Sequence, residues 1–305
     1  MIVVEVVFLV LFWAWVATAL VFLRNTVLPR LPLSQDPRAF GLPFDTVQFE
    51  ATDGLRLEGW RMPASPGAPW VILCHGVGSN RSDLLDIAAG LHQAGFNLLL
   101  FDFRGHGGSQ GRATSFGWEE QRYLEGVLAF LGQQPEVPAR PYGVYGISMG
   151  GAVALMVASR DERIVAVAAD SPYPRLDETL GRHLQLMFPL LPRIPFHWYV
   201  LGAYRVRFGV WPRRISPQEA VERLSPRPLL LIHGSDDFRI PLAGAQKLFA
   251  RAGQPKTLWI AKGAEHLGAF SQDPQRYVSK LECFFQDSLG EPSRRRRGHR
   301  GVETY

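Results

Sequence analysis

The segment 145–151 constrains the fold of this chain more than any other, because it places the pattern Gly-x-Ser-x-Gly, centred on Ser148, between two different kinds of apolar run. The preceding run is typical of a buried strand, and the following run of small residues is typical of a helix. Glycines on both sides of Ser148 permit a sharp turn that leaves its hydroxyl exposed. A pattern this short also occurs by chance in ordinary Gly-Ser loops that carry no nucleophile. Ser148 is therefore a candidate nucleophile whose assignment depends on the rest of the chain.

Strand-like and helical segments alternate along most of the sequence. Two strand-like runs flank the turn signal Thr52-Asp53-Gly54 and predict an antiparallel hairpin. The apolar runs that follow predict strands over 70–74, 96–101, 142–147, 164–169, 229–233 and 257–260. Helical spacing predicts helices over 82–94, 118–131, 152–158, 242–252 and 274–289. This alternation predicts an α/β fold with a mostly parallel sheet and helices on both faces.

The alternation breaks between residues 171 and 216, where six prolines, many aromatic residues and no clean strand occur. We interpret this segment as a helical cap inserted between two strands. Its apolar side chains admit two interpretations: they pack the cap onto the main domain, or they line an acyl pocket or rest on a bilayer. These side chains are Leu184, Leu186, Met187, Phe188, Leu190, Leu191, Phe196, Trp198 and Tyr199.

The N-terminus predicts a membrane anchor over residues 1–23. Residues 2–23 are apolar apart from Glu5 and Thr18, and as a helix they span roughly 33 Å, enough for a hydrocarbon core. A cleaved signal peptide is the alternative, but no Lys or Arg precedes the apolar run. Because Arg24, Arg30 and Arg38 all follow the run, the positive-inside rule predicts a single-pass protein with its catalytic domain in the cytoplasm.

The rest of the chain divides into a proline-rich tether over 24–45, a catalytic domain over 46–290 and a basic tail over 291–305. The net charge of +5 is concentrated in that tail, which holds five arginines and two glutamates. We expect the tail to be disordered, and the absence of a basic stripe elsewhere argues against a nucleic-acid partner. Cys74 and Cys283 lie far apart, so we expect two buried thiols, no disulfide framework and no metal site. No motif calls for a cofactor.

A serine nucleophile needs a neutral imidazole and a carboxylate that orients it. Asp236 and Asp237 follow one predicted strand and His266 follows the next, so all three approach Ser148 at the carboxyl edge of a parallel sheet. Only one of the two neighbouring acids can serve. Asp170, which also ends a strand, is a further candidate for the acid.

Four motifs along the chain resemble the α/β-hydrolase superfamily, and more narrowly the membrane-anchored bacterial serine hydrolases related to the Bem46 and ABHD13 groups. They are the segment around Ser148, the run from Asp102 to Ser109, His233-Gly-Ser-Asp-Asp237 through Ile240-Pro241, and Gly-Ala-Glu-His266. The resemblance covers about residues 46–290 and implies a Ser148, Asp237 and His266 triad. It also implies that the run after Asp102 is a structural turn, in which we expect Asp102 to pair with Arg104.

The developing oxyanion needs two backbone N–H donors. The residue after the nucleophile, Met149, begins the predicted helix and supplies one. The resemblance implies that Val77, in the loop after the 70–74 strand, supplies the second, with Gly78 as the alternative.

These residues predict a serine hydrolase that cleaves carboxylic ester or thioester bonds through an acyl-enzyme. The anchor and the apolar cap favour a small-molecule or lipid-like substrate with an apolar acyl chain. Two alternatives stay open: a serine exopeptidase or amidase of the prolyl-oligopeptidase type, and a non-enzymatic interaction protein tethered to a membrane. A dehalogenase would carry a carboxylate in place of Ser148.

Overall fold

A computed structural model describes residues 2–134, 141–190, 192–290 and 301–305. The strands are β1 (Asp45–Glu50), β2 (Arg56–Met62), β3 (Trp70–Cys74), β4 (Asn97–Phe101), β5 (Tyr142–Ile147), β6 (Ile164–Asp170), β7 (Leu229–Gly234), β8 (Lys256–Ala261) and β9 (Gly301–Thr304). The helices are α1 (Ile2–Thr26), α2 (Leu85–Gln93), α3 (Glu120–Gly132), α4 (Met149–Ala158), α5 (Leu176–Met187), α6 (Arg193–Phe208), α7 (Pro217–Ala220), α8 (Leu242–Arg251), α9 (Gly268–Gln272) and α10 (Pro274–Leu289).

The strands form one sheet in the order β1-β2-β4-β3-β5-β6-β7-β8-β9. The predicted hairpin is confirmed, because β1 and β2 pair antiparallel and β2 then pairs antiparallel with β4. From β4 to β9 every neighbouring pair is parallel. The predicted, mostly parallel sheet is therefore confirmed, and the carboxyl ends of its parallel strands meet at one edge.

Both faces of the sheet are buried. Along β3, Trp70 and Ile72 belong to the core on one face, with α3, α4 and α8, whereas Val71 and Leu73 belong to the core on the other face, with α2 and α10. This alternation explains why the strand reads as a continuous apolar run, since successive side chains point to opposite faces.

Helices α5 and α6 occupy the segment in which the alternation breaks. They enclose a third apolar core, in which Phe22 of α1, Met156 of α4 and Tyr204 of α6 are buried. The Tyr204 hydroxyl donates to the carbonyl oxygen of Ser115 at 2.7 Å, which ties α6 to the body of the protein. Both polar and apolar contacts thus hold the cap helices on the main domain.

The helix α1 is long and apolar enough to cross a membrane by length and composition, with a mean hydropathy of 2.6 within Val4–Thr26. A signal sequence would meet the same criterion. The described side chains of its N-terminal half are exposed, whereas its C-terminal half packs against α6. The chain beyond α1 lies on the body, because Asn80 Nδ2 donates to the carbonyl of Pro32 at 3.1 Å and the Ser34 N–H donates to Ser82 Oγ at 3.1 Å.

The end of the chain differs from the predicted disorder. The strand β9 pairs parallel with β8, and the ring of Tyr305 stacks on Trp259 with centroids 4.4 Å apart. Lys280 of α10 forms an ion pair with Glu303. These contacts supply the order that a basic composition alone does not reveal. The arginines at 294–297 and 300 lie outside the described residues.

Two smaller expectations are wrong. Cys283 is exposed on α10, although Cys74 is buried as expected. Asp102 does not pair with Arg104: its carboxylate accepts from the guanidinium of Arg81 at 2.5 Å, whereas Arg104 pairs with Glu119. The turn after β4 is therefore held by charges from two neighbouring segments.

Candidate active site

Ser148 stands in a strained turn between β5 and α4. Its backbone φ is +50°, a conformation that non-glycine residues rarely adopt. A Cβ at Gly146 would lie 2.4 Å from the backbone of Gly150, and a Cβ at Gly150 would lie 2.3 Å from the carbonyl oxygen of Cys74. Both glycines are therefore required sterically, because strand and helix approach each other too closely for any side chain.

Three of the predicted site residues form one line of hydrogen bonds. The Ser148 Oγ lies 3.1 Å from His266 Nε2, and His266 Nδ1 lies 2.6 Å from Asp237 Oδ2. An ionised carboxylate only accepts hydrogen bonds, so Nδ1 carries the proton and Nε2 is free to accept from the serine hydroxyl. This tautomer is the one that a general base next to a hydroxyl requires.

The carboxylate of Asp237 is buried, and both of its oxygens accept hydrogen bonds. Its Oδ1 accepts from the N–H groups of Arg239 at 2.9 Å and Ile240 at 2.8 Å, leaving Oδ2 for His266. Burial opposes ionisation, but the hydrogen bond to His266 and its charge, with the Ile240 N–H, outweigh it and hold the pKa of Asp237 below its ordinary value. Asp237 is therefore charged near neutral pH and holds the imidazole in one orientation.

The competing acids have other partners. The carboxylate of Asp236 accepts from its neighbour Ser235 at 2.7 Å and faces solvent. Asp170 is buried and accepts from the hydroxyls of Tyr277 at 2.6 Å and Ser171 at 2.8 Å. Burial raises the pKa of Asp170 against the opposing effect of those two hydrogen bonds. Within the described ranges neither acid hydrogen bonds to His266, so the geometry favours Asp237.

Hydrogen bonds join the loops that carry Asp237 and His266. The Asp236 N–H donates to the carbonyl of Ala264 at 2.9 Å, and the Gly263 N–H donates to Ser235 Oγ at 2.7 Å. A Cβ at Gly234 would lie 2.2 Å from the Ala264 oxygen. Glycine at the end of β7 therefore permits the close approach that brings acid and base together.

The two predicted oxyanion donors, Met149 and Val77, line the same cavity as Ser148. Met149 is the first residue of α4, and first-turn N–H groups have no partner inside a helix. Within the described part of the chain, the Val77 N–H likewise makes no hydrogen bond. The Gly78 N–H does, because it donates to His106 Nε2 at 3.2 Å. Gly78 is thus occupied, which leaves Val77 as the available donor of the two.

His106 is a functional candidate that sequence reasoning missed, since it was assigned only to a turn. Its Nδ1 lies 2.8 Å from the Arg104 carbonyl, so Nδ1–H donates there and Nε2 accepts from Gly78. Its ring packs against His75, whose Nε2 accepts from the Phe103 N–H at 2.9 Å. Burial lowers the pKa of both histidines, so both stay neutral and keep the loop beside Val77 in place.

A cavity of about 820 Å³ opens onto Ser148 and His266. Its volume is within the range of roughly 300–1,000 Å³ found for small-molecule sites. Its lining is mostly apolar, and four of the predicted cap residues contribute: Leu184, Met187, Phe188 and Phe196. Other cap residues, such as Leu190 and Trp198, are exposed on the outer surface. No cluster of His, Cys, Asp and Glu among the described residues could hold a metal ion.

The profile of the family described as Serine aminopeptidase, S33 matches residues 67–219. This span includes Val77, the Gly-x-Ser-x-Gly turn and the whole cap segment 171–216. The chain belongs to this family of α/β hydrolases. The match ends before Asp237 and His266, so it does not test these two residues, and the hydrogen bonds described above are what supports their assignment in the structure.

Similar proteins extend the likeness to most of the hydrolase. An uncharacterized protein of Escherichia coli K12, YfhR, is 31% identical over 74% of this chain and 75% of its own length. Another from Bacillus subtilis, YqkD, is 29% identical over 77% of this chain and 76% of its own. The solved structure of the Pyrococcus furiosus esterase Pf2001 has a TM-score of 0.72, with 26% identity over 86% of this chain and all of that one.

Proposed function

We propose that this hydrolase is a membrane-anchored serine esterase that cleaves carboxylic ester or thioester bonds of substrates with apolar acyl chains. The observation that carries the proposal is the line from Ser148 through His266 to Asp237, which opens into a mostly apolar cavity. The Pyrococcus furiosus protein with a similar structure is described as an esterase, which supports the same reaction class.

The reaction proceeds in two displacements. The Ser148 Oγ attacks the carbonyl carbon while its proton passes to His266 Nε2, and the N–H groups of Val77 and Met149 stabilise the oxyanion. Collapse of the intermediate breaks the bond to the alcohol or thiol, which leaves with the proton from His266. Water then gives a proton to His266 and attacks the acyl carbon, and Ser148 leaves with that proton. Asp237 stays ionised and stabilises the imidazolium.

Ester hydrolysis by the Ser148→Ala variant tests this proposal. We expect kcat on p-nitrophenyl octanoate to fall by at least about 10⁴-fold, because the nucleophile is lost. Ser159→Ala is the matched control: this serine caps the far end of α4, where its hydroxyl donates to the Met156 carbonyl at 2.7 Å. Its rate should stay within twofold of wild type. Equal rates for Ser148→Ala and wild type would contradict the proposal.

The family description makes an aminopeptidase the second candidate. The same serine, histidine and acid could attack an amide, and the cavity also includes Asp83 and Asp86, which could face an ammonium group. Leucine p-nitroanilide, assayed beside p-nitrophenyl octanoate, separates the two functions. We expect the ester to give the higher kcat/KM; a higher value for the anilide would favour the aminopeptidase.

The membrane anchor and the cytoplasmic location belong to the same proposal. The length and hydropathy of α1 support the anchor, and Arg24 and Arg38 after it support a cytoplasmic domain. Arg30 is a weaker topology signal, since its guanidinium donates a hydrogen bond to the carbonyl of Ser109. A C-terminal alkaline phosphatase fusion should be inactive in a bacterial host, and an active fusion would place the domain outside.

A further inference from the structure

We infer that α1 is one wall of the acyl-binding site and that the acyl chain of a membrane lipid reaches Ser148 between α1 and the cap helices, from the leaflet nearest the hydrolase. The inference rests on the proposed esterase function and names its substrate class: long-chain acyl esters drawn from the bilayer. It gives α1 a role in substrate selection in addition to anchoring.

One face of α1 lines the cavity that holds Ser148 and His266. The side chains on this face recur every three or four residues, as one side of a helix requires. They are Ala14, Ala17, Thr18, Val21, Phe22 and Asn25. The small side chains at 14 and 17 leave open the space between α1 and the cap, so the helix that anchors the protein also bounds the site of reaction.

The cap supplies the opposite wall with Leu184, Met187 and Phe196. An acyl chain presents only methylene and methyl groups, and moving each methylene from water into an apolar site is favourable. The Thr18 hydroxyl is already satisfied, because it donates to the Ala14 carbonyl within α1 at 2.8 Å. Between these walls the site therefore favours a long hydrocarbon chain over a polar group.

The wall is held in place at its C-terminal end. The Arg30 guanidinium donates to the carbonyls of Gly107 at 2.9 Å, Ser109 at 2.6 Å and Gly111 at 2.9 Å. The Thr114 N–H donates to the Thr26 carbonyl at 2.8 Å. These contacts fix α1 to the loop after β4, the same loop whose His106 holds the oxyanion segment.

Aromatic packing holds the middle of α1. Phe22 is buried, with its ring centroid 6.0 Å from that of Tyr204 in α6 and 6.4 Å from that of Phe116. The helix therefore packs against both the cap and the body of the protein beside the cavity. A helix that served only as a membrane tether would not require these contacts.

The length of α1 places the cavity at the depth of acyl chains. At 1.5 Å per residue, the apolar stretch Val4–Thr26 covers about 35 Å, slightly more than a hydrocarbon core of about 30 Å. The cavity face, from Ala14 to Asn25, is the half nearest the hydrolase. The cap also exposes apolar side chains, among them Leu190, Trp198 and Val206. We expect this surface to lie in the near leaflet, where a lipid chain can enter sideways.

Substitutions on two faces of α1 test the inference in the full chain, reconstituted in phosphatidylcholine vesicles. Ala17→Phe places a ring in the cavity, so we expect the ratio of kcat/KM for p-nitrophenyl dodecanoate over butyrate to fall about tenfold. Val21→Ala enlarges the cavity and should raise the same ratio. Leu20→Phe adds a ring on the exposed face and should leave the ratio unchanged. An unaltered ratio in both Ala17→Phe and Val21→Ala would overturn the inference.

The opposite signs expected for Ala17→Phe and Val21→Ala exclude misfolding as the explanation. The outcome also separates the two proposals. Loss of hydrolysis in Ser148→Ala with unchanged chain-length ratios in the α1 variants would overturn only the role of α1. Wild-type protein that hydrolyses no ester would overturn both.

Photocrosslinking tests the bilayer as the source. Vesicles of phosphatidylcholine with a diazirine on one acyl chain are mixed with the Ser148→Ala variant, which cannot turn the lipid over. Leu184 is 5% exposed and lines the cavity, so an adduct there requires that a chain has entered. We expect adducts at Leu184 by mass spectrometry. Adducts restricted to outward-facing residues such as Leu190 would contradict entry from the bilayer.

Discussion

Two regions of the molecule are stabilised by different kinds of interaction. The first, which we call the catalytic edge, comprises Val77, Ser148, Asp237 and His266 at the carboxyl ends of the strands. It is held by directional hydrogen bonds and by glycines that no other residue could replace. The second, the apolar wall, comprises α1, α5 and α6 and is held mainly by side-chain packing. Substitutions should therefore alter chemistry at the edge and substrate preference at the wall.

After the loss of Ser148 itself, the largest effect should come from the acid of the catalytic edge. Asp237→Asn removes the charge that orients His266, and we expect kcat to fall about 10³- to 10⁴-fold. Asp236→Asn alters the neighbouring carboxylate, which faces solvent, and should leave kcat within twofold. Steady-state kinetics on p-nitrophenyl octanoate compare the two variants. A larger loss in Asp236→Asn would mean that the wrong acid has been assigned.

A smaller effect should come from the support of the oxyanion loop. His106→Phe keeps a ring beside His75 but removes the acceptor for the Gly78 N–H. We expect kcat to fall about tenfold with KM nearly unchanged, because the neighbouring Val77 is the proposed oxyanion donor and an oxyanion forms only in the transition state. His92→Phe, at a half-buried position in the last turn of α2, is the control. A change in KM alone would assign His106 to substrate binding instead of loop positioning.

The smallest effect should be on stability at mildly acid pH. Burial lowers the pKa of His106 from its ordinary 6.5, so below that pH the unfolded chain binds a proton that the native protein excludes. The stability contributed by neutral His106 is complete above pH 6.5 and is lost as pH falls. We expect the melting temperature of wild type to fall more steeply between about pH 6.5 and 5 than that of His106→Phe. Parallel curves would exclude this linkage.

The catalytic edge was largely predictable from the sequence. Ser148 stands in a local pattern whose glycines have a steric reason, and His266 directly follows a predicted strand, where parallel strands bring their ends together. The choice of Asp237 over Asp236 was not predictable from spacing, since adjacent residues share it. It came from a family resemblance, and the hydrogen bonds of the two carboxylates now favour the same choice.

The remaining features depend on contacts between distant segments, which composition and periodicity do not encode. The His106 ring, in the loop after β4, accepts from the Gly78 N–H, in the loop after β3. Asp102 forms its ion pair with Arg81 and not with the predicted Arg104. The order of Gly301–Thr304 depends on pairing with β8. Likewise, the apolar pattern of α1 predicted a membrane helix, but its hydropathy could not reveal which of its faces would line the cavity.

Covalent labelling tests the central claim most directly. A fluorophosphonate reacts with an activated serine, so wild-type protein should take up one phosphonyl group, and peptide mass spectrometry should locate it on Ser148. His266→Ala, which removes the general base, should label far more slowly. A phosphonyl group on any other residue, or the same labelling rate in wild type and His266→Ala, would contradict the account.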